Sequence, residues 1–326
     1  MESQHLPNIQ SATTTSSSTA PLAQPTISIA ILGAGISGLA LAISLLQDPN
    51  PNLTFMLYES APCYSAIGAG IAFGPNALRA MERLAPEFRS LYEGIRTGNA
   101  DPRRRNVMWD MLSAGPGLGE GSKEDGQGEI RYEGFEKSSA HRVELLRVMQ
   151  SLVPLDRVVF NRRVVDISNV DNGVEITFSD NTTITASAAI GCDGAKGNSR
   201  SSVLKSRYPA HVKATYAGRY VYRAVIPIDN ARDVLGDHVG DGKMFMGKGL
   251  YCTVYQMSEG RELNLLAARQ SDAGWEGEWT KEVSREEMLA DFENGVDWRL
   301  IKLLEVSTNM YCCCGTFLTV PSGQSR

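Results

Sequence analysis

No lysine or arginine occurs before Arg79, only four histidines stand in 326 residues, and the six cysteines form no CxxC pair. Each shortage excludes something. Without a basic flank, the one long uncharged run, Ile27 to Leu46, lacks what orients a signal anchor or an inserted helix. Its three glycines within six residues would also weaken a membrane helix. The chain therefore reads as soluble, with no membrane span. His5, His141, His211 and His238 show no metal-ligand spacing, so a zinc or iron site is not expected. The cysteines, Cys63, Cys192, Cys252 and the triplet Cys312 to Cys314, suit a reducing, cytoplasmic compartment. A formal net charge of −5 leaves no basic footprint for nucleic acid, and the arginines at 103 to 105 read as a solvated turn.

What is present is a composition 42% hydrophobic and 21% charged, long enough for a sizeable core and two domains. Residues 1–26 are rich in Ser, Thr, Ala, Pro and Gln, too poor in apolar groups to offset the entropy of ordering, and read as a disordered leader. The informative text follows at once. ISIAILGAGISGLALAISLL sets Gly33, Gly35 and Gly38 between a β-branched stretch and an apolar helical one. Gly33 permits the strand-to-helix turn, Gly35 lets backbone approach phosphate, and Gly38 lets helix and strand pack closely. The helix N-terminus adds free N–H groups and partial positive charge. A second strand, Leu53 to Tyr58, ends at Glu59, twenty-one residues after Gly38, where a carboxylate can accept hydrogen bonds from an adenosine ribose. Strand, turn, helix, strand and acid in that order predict a dinucleotide site, and Glu59 suits NAD as well as FAD.

Further along, IGAGIAFGPNALRAMERL carries Gly68, Gly70 and Gly74 ahead of Pro75 at a first helical position, with Leu78, Met81 and Leu84 at helical spacing. Backbone from Gly70 to Ala72 either packs under the sheet or lies against the cofactor. The glycine-rich residues 113–129 read as a surface loop. Ser139 is placed to cap a helix through Leu152, with Arg142 in its first turn, where the macrodipole disfavours a cation unless an anion or electron-rich ligand is near. Val158 to Ile190 reads as a β-meander returning to the sheet at AAIGCDG, which puts Asp193 at the carboxyl edge of a parallel sheet. GRYVYRAVIPI (218–228), LYCTVYQM (250–257) and ELNLLAA (262–268) read as a second, mainly antiparallel sheet. By periodicity, Arg223 and Tyr255 within it point either into a cavity or to solvent.

In order, GAGISG, Glu59, IGAGIAFGPNA, SSAHRVELL, IGCDG and GRYVYRAVIP resemble the FAD-dependent aromatic monooxygenases of the salicylate-hydroxylase and para-hydroxybenzoate-hydroxylase type, fungal secondary-metabolism members above all. The resemblance runs from Ile27 to Trp298. It implies an α/β fold: a Rossmann-like FAD-binding domain over 27–100 and 136–208, an insert over 101–135, a mainly antiparallel substrate domain over 209–305, and an atypical tail over 306–326. It implies that Glu59 binds the ribose, that Ala72 backbone and Arg142 contact FAD, and that Asp193 belongs to a DG motif contacting the nicotinamide cofactor. In that motif Gly197 stands where a serine is expected. Arg223 and Tyr255 match positions that hold a substrate phenolate, and Tyr251 stands where relatives often carry histidine. The implied activity is hydroxylation of a small phenolic substrate with O2, with FAD as cofactor and NAD(P)H as co-substrate. Relatives continue into a Gly-Asp motif that completes the FAD site. After LIKLLE no such motif follows, which implies a truncated product with impaired flavin binding, or a non-catalytic remnant that binds without flavin.

Overall fold

The computed structural model describes residues 26–64, 69–118, 128–274, 280–292 and 295–317. The expected leader up to residue 25, Gly68, and residues 119–127 of the glycine-rich run lie outside the described residues. Strand β1 (Ile27–Leu32), helix α1 (Ile36–Leu46) and strand β2 (Leu53–Tyr58) follow the predicted order. Apolar residues dominate both strands because both faces are covered. On α1, Leu39, Ala42 and Ile43 are buried. Among the described residues no helix is long and apolar enough to cross a membrane.

Next come β3 (Gly70–Phe73), α2 (Pro75–Leu84), α3 (Pro86–Glu93), β4 (Val107–Ser113), β5 (Gly128–Arg131), β6 (Ser138–His141) and α4 (Arg142–Ser151). Pro75 opens α2 and Leu78 and Met81 are buried, as the spacing predicted. Three corrections fall here. Ser139 is no helix cap: it sits in β6, antiparallel to β3, and its hydroxyl donates to the carbonyls of Thr97 (3.0 Å) and Gln256 (2.7 Å). The cap is His141, whose Nδ1 accepts from the Val143 amide, so the helix starts at Arg142 because β3 claims the preceding residues as a strand partner. The stretch 101–135, read as an insert, supplies β4 and β5, two strands of the largest sheet. The arginine turn is only partly solvated: Arg103 is exposed, whereas Arg104 meets Asp110 (2.7 Å), Glu129 (2.7 Å) and Asp241 (2.9 Å).

The chain then forms β7 (Val158–Val159), β8 (Val164–Val170), β9 (Gly173–Phe178), β10 (Thr183–Ala186), β11 (Ala188–Gly191) and α5 (Ser199–Leu204). The expected meander is three strands, β8 to β10, forming their own antiparallel sheet; β7 and β11 leave it for the parallel sheet, ordered β11-β1-β2-β7. The last part holds β12 (Thr215–Pro227), α6 (Ile228–Leu235), β13 (Lys243–Gly247), β14 (Leu250–Met257), β15 (Glu262–Gln270), β16 (Thr280–Lys281), α7 (Arg285–Ala290), α8 (Trp298–Val306) and β17 (Thr308–Phe317). The eight-stranded sheet runs β16-β17-β12-β15-β14-β13-β4-β5, antiparallel except where β13 meets β4. The run read as an atypical tail thus supplies β17, which completes the far edge of β12. One face of this sheet packs Tyr222, Ala224, Phe245, Val254 and Leu265 against α6 and α8. Since side chains alternate along a strand, the other face carries Arg223, Tyr255, Asn264 and Trp109.

Candidate active site

Residues expected at the dinucleotide turn come together in space. Gly33 has φ +103°, a conformation few side-chain-bearing residues adopt, and a Cβ there would lie 2.6 Å from the Cys192 carbonyl oxygen. A Cβ on Gly38 would collide with the Gly33 carbonyl. A Cβ on Gly35 would meet nothing within 4 Å, so this side of the backbone stays open to a ligand. Glu59 points at this turn: its Oε2 accepts from the Ala34 amide (2.8 Å), and its Oε1 accepts from the Ala61 amide (2.8 Å) and the Ser60 hydroxyl (3.1 Å). Lone pairs remain for further donors. A cavity of about 410 Å³ opens there, lined by Gly33, Gly35, Glu59, Arg163 and Asp193 among others.

Asp193 follows β11 directly and closes over Gly33. Its carboxylate accepts from the Ser199 amide (3.0 Å) and from the Ser199 hydroxyl. A Cβ at Gly197 would run into that carboxylate, so the serine expected at 197 has no room. The hydroxyl comes from two residues further on, a substitution the motif reading missed.

A second cluster forms where β3 meets the eight-stranded sheet. The Gly70 amide donates to Asn264 Oδ1 at 2.8 Å, and a Cβ on Gly70 would lie 2.9 Å from the Tyr255 ring, its hydroxyl oxygen and Asn264. Glycine at 70 is therefore a requirement of close approach. Ala72 pairs with Ser139 in the β3–β6 ribbon, and the Arg142 amide donates to the Ala69 carbonyl at 3.1 Å. These residues share one corner with Tyr255. Burial pushes the Tyr255 phenol well above its ordinary range, and the Arg223 guanidinium pulls the other way. The phenol stays protonated, hence a hydrogen-bond donor. Arg223 is on the same face, two strands away across β15.

Sequence reasoning did not single out Asn264, Trp109 or Lys137. Trp109 meets Tyr255 edge to face at 5.8 Å between centroids, and Lys137 Nζ lies over both rings. Tyr255 and Asn264 are cross-strand partners on β14 and β15, and that register was the one available signal. Among the described residues no cluster of His, Cys, Asp and Glu could hold a metal ion.

A glycine turn braced by a carboxylate, joined through a strand ribbon to an antiparallel sheet with a buried phenol, defines a two-part α/β architecture with a dinucleotide-type turn. Among solved structures, a salicylate hydroxylase substrate complex superposes with a TM-score of 0.74 at 22% identity, covering 90% of this chain and 69% of that one. The fold is shared. No family model matches the chain. An FAD-dependent monooxygenase of Gibberella moniliformis is 35% identical over 85% of this chain and 63% of its own length. The 6-methylsalicylate 1-monooxygenase atA of Aspergillus terreus is 32% identical over 86% and 63%. The FAD-dependent monooxygenase azaH of Aspergillus niger is 31% identical over 92% and 70%. The chain belongs to the FAD-dependent monooxygenases. It spans 63% of the length of the first two of these relatives.

Proposed function

We propose that this chain is an FAD-dependent hydroxylase of a small phenolic acid, using NAD(P)H and O2. The observation that carries the reading is the contact of Gly70 with Tyr255, because it brings the ribbon bearing Ala72 and Arg142 onto the face bearing Arg223. The 6-methylsalicylate named for the Aspergillus terreus relative supports the substrate class.

The open backbone at Gly35 and the cavity beside Glu59 fit a flavin dinucleotide. In this assignment the Gly33 to Gly38 turn receives the pyrophosphate, Glu59 the ribose, and Ala72 backbone with Arg142 the flavin, while Asp193 closes the site. When bound, FAD supplies the redox chemistry that a side chain cannot. Arg223 favours the phenolate of the substrate by charge, and Tyr255, kept protonated by burial, donates a hydrogen bond to that oxygen. Trp109 and the Tyr255 ring wall the corner against water. The free thiols Cys63, Cys192 and Cys252 suit the cytoplasm.

The test is purified full-length chain mixed with FAD, assayed for retained flavin absorbance and for salicylate-stimulated NAD(P)H consumption with a hydroxylated product. Tyr255→Phe should retain flavin and lower kcat about a hundredfold, as loss of one oxyanion-type donor does. A folded chain left colourless by added FAD would overturn the reading in favour of a non-catalytic binding protein.

A further inference from the structure

Lys137 is 1% exposed, in the segment joining β5 to β6. Its Nζ lies 4.3 Å from the centroid of the Trp109 ring and 4.9 Å from that of Tyr255, with Met108 Sδ at 4.0 Å. Behind it the chain is tightly held: the Lys137 amide donates to the Arg105 carbonyl at 2.6 Å, and a Cβ on Gly242 would lie 2.8 Å from the Lys137 stem. The ammonium is fixed where it is.

No carboxylate pairs with it among the described residues. Those on neighbouring elements are engaged elsewhere: Glu93 and Glu136 bind Arg96, Asp241 binds Arg104, and Asp110 bridges Arg104 and Lys243. The ionisable group beneath it is the Tyr255 phenol on β14, which in turn feels Arg223 on β12 and Tyr92 on α3; the Tyr92 hydroxyl meets Ser138 Oγ at 2.5 Å and is pushed up to about 12. None is an anion. Ring faces attract an ammonium but do not neutralise it. A methionine would fill the same space without the desolvation cost that an unpaired buried charge carries.

We propose that Lys137 is a specificity-determining residue acting through the Trp109–Tyr255 wall: its charge, behind both rings, makes the site prefer an aromatic ring bearing a carboxylate or phenolate over a neutral ring of the same shape. The assignment rests on the aromatic-hydroxylase reading above. Burial draws the Lys137 ammonium down to about 7. Below that pH the charge is present and the anion preference is full; above it the side chain is neutral and the preference fades.

The experiment measures salicylate and salicyl alcohol binding to the FAD-supplemented full chain by calorimetry across neutral pH. For the wild type, the salicylate Kd should rise about tenfold between about pH 6 and pH 8.5, roughly the effect of a unit charge about 10 Å away at an effective dielectric of about 20. Salicyl alcohol affinity should not change. Lys137→Met should bind salicylate weakly at every pH with no step, and Lys137→Arg, charged throughout, should bind tightly at both ends. Should Lys137→Met fail to fold, carbon-13 NMR of ε-labelled lysine decides, since the resonance missing from Lys137→Arg must titrate near pH 7. A step persisting in Lys137→Met, or that resonance titrating near the ordinary lysine value of about 10.4, overturns this assignment alone. Absence of salicylate binding by the wild type at any pH overturns the aromatic site and this assignment with it.

Discussion

Gly35 and Gly38 stand three residues apart and respond to a methyl group in opposite ways. At Gly38 the added Cβ meets the Gly33 carbonyl oxygen, which cannot retreat without lifting α1 from β1. Gly38→Ala should therefore cost about 1–3 kcal/mol, the usual range for overpacking. At Gly35 the added Cβ would meet no heavy atom within 4 Å and φ is −76°, an ordinary value. Gly35→Ala should leave stability within about 0.5 kcal/mol. Its methyl group instead takes the space assigned to phosphate, so FAD affinity should fall tenfold or more while the urea midpoint stays put. If Gly35→Ala binds FAD like the wild type, the cradle has been misplaced. This turn was legible because all its determinants lie within one strand, turn and helix. Asn264 was not, since its partner Gly70 is far away in the chain and an asparagine in a strand carries no mark of what it will accept. Lys137 was hidden for the opposite reason: lysine usually reads as a solvated cation, and only the packed rings of Trp109 and Tyr255 show otherwise.

At the level of elements, α8 depends on one carboxylate. Asp297 is 3% exposed, and it accepts from the amides of Arg299 (2.9 Å), Gly117 (2.9 Å) and Leu118 (3.1 Å). It thus caps a helix and ties down the chain after β4 at once. Burial by itself would raise its pKa, but the Arg299 hydrogen bonds, the Gly117 amide and the Arg299 charge outweigh it and hold the group at about 2. Since the folded value lies below the unfolded one, this stabilisation is present above about pH 4 and lost as pH falls through about 2. It amounts to about 2 kcal/mol at neutral pH. Asp297→Asn should show that deficit by urea denaturation at pH 7, and the gap from wild type should narrow by about half as the pH is lowered to about 3. An equal gap at both pH values would defeat the account. Elements that sequence reasoning found, β1, α1, β2, α2, β14 and β15, have strong local periodicity. Those it missed gain their structure from partners: β4 from β13, β17 from β12, and β6 from β3. A strand decided by its neighbour need not announce itself.

Across the whole molecule, specific polar contacts join the nucleotide-binding part to the eight-stranded sheet, three of them close to the candidate site. Ser139 Oγ donates to the Gln256 carbonyl, the Glu259 amide donates to Thr97 Oγ1 at 3.0 Å, and the Gly70 amide donates to Asn264 Oδ1. The third lies between the ribbon assigned to the flavin and the face assigned to the substrate. Asn264 is 3% exposed, so Asn264→Leu strands the Gly70 amide beside an apolar side chain of similar size, a cost of about 1–3 kcal/mol. The other contacts, with the Ala100 amide on the Gly240 carbonyl and the Gly242 amide on Asn99 Oδ1 among them, persist, so the chain should still fold. The loss should appear locally first, as faster hydrogen exchange at the Gly70 amide and its neighbours on β3, with smaller changes on β1 and β2. Asn264→Asp keeps an acceptor in place and should keep Gly70 protected even though burying a charge lowers overall stability. Loosening the ribbon assigned to the flavin also moves Gly70 relative to Tyr255, so substrate and FAD affinities should both weaken, FAD the less because the Gly33 turn still holds its share of the cofactor. If Gly70 exchanges at the wild-type rate in Asn264→Leu, or if both flavin and substrate affinities stay at their wild-type values, the two sites are not coupled through this bond.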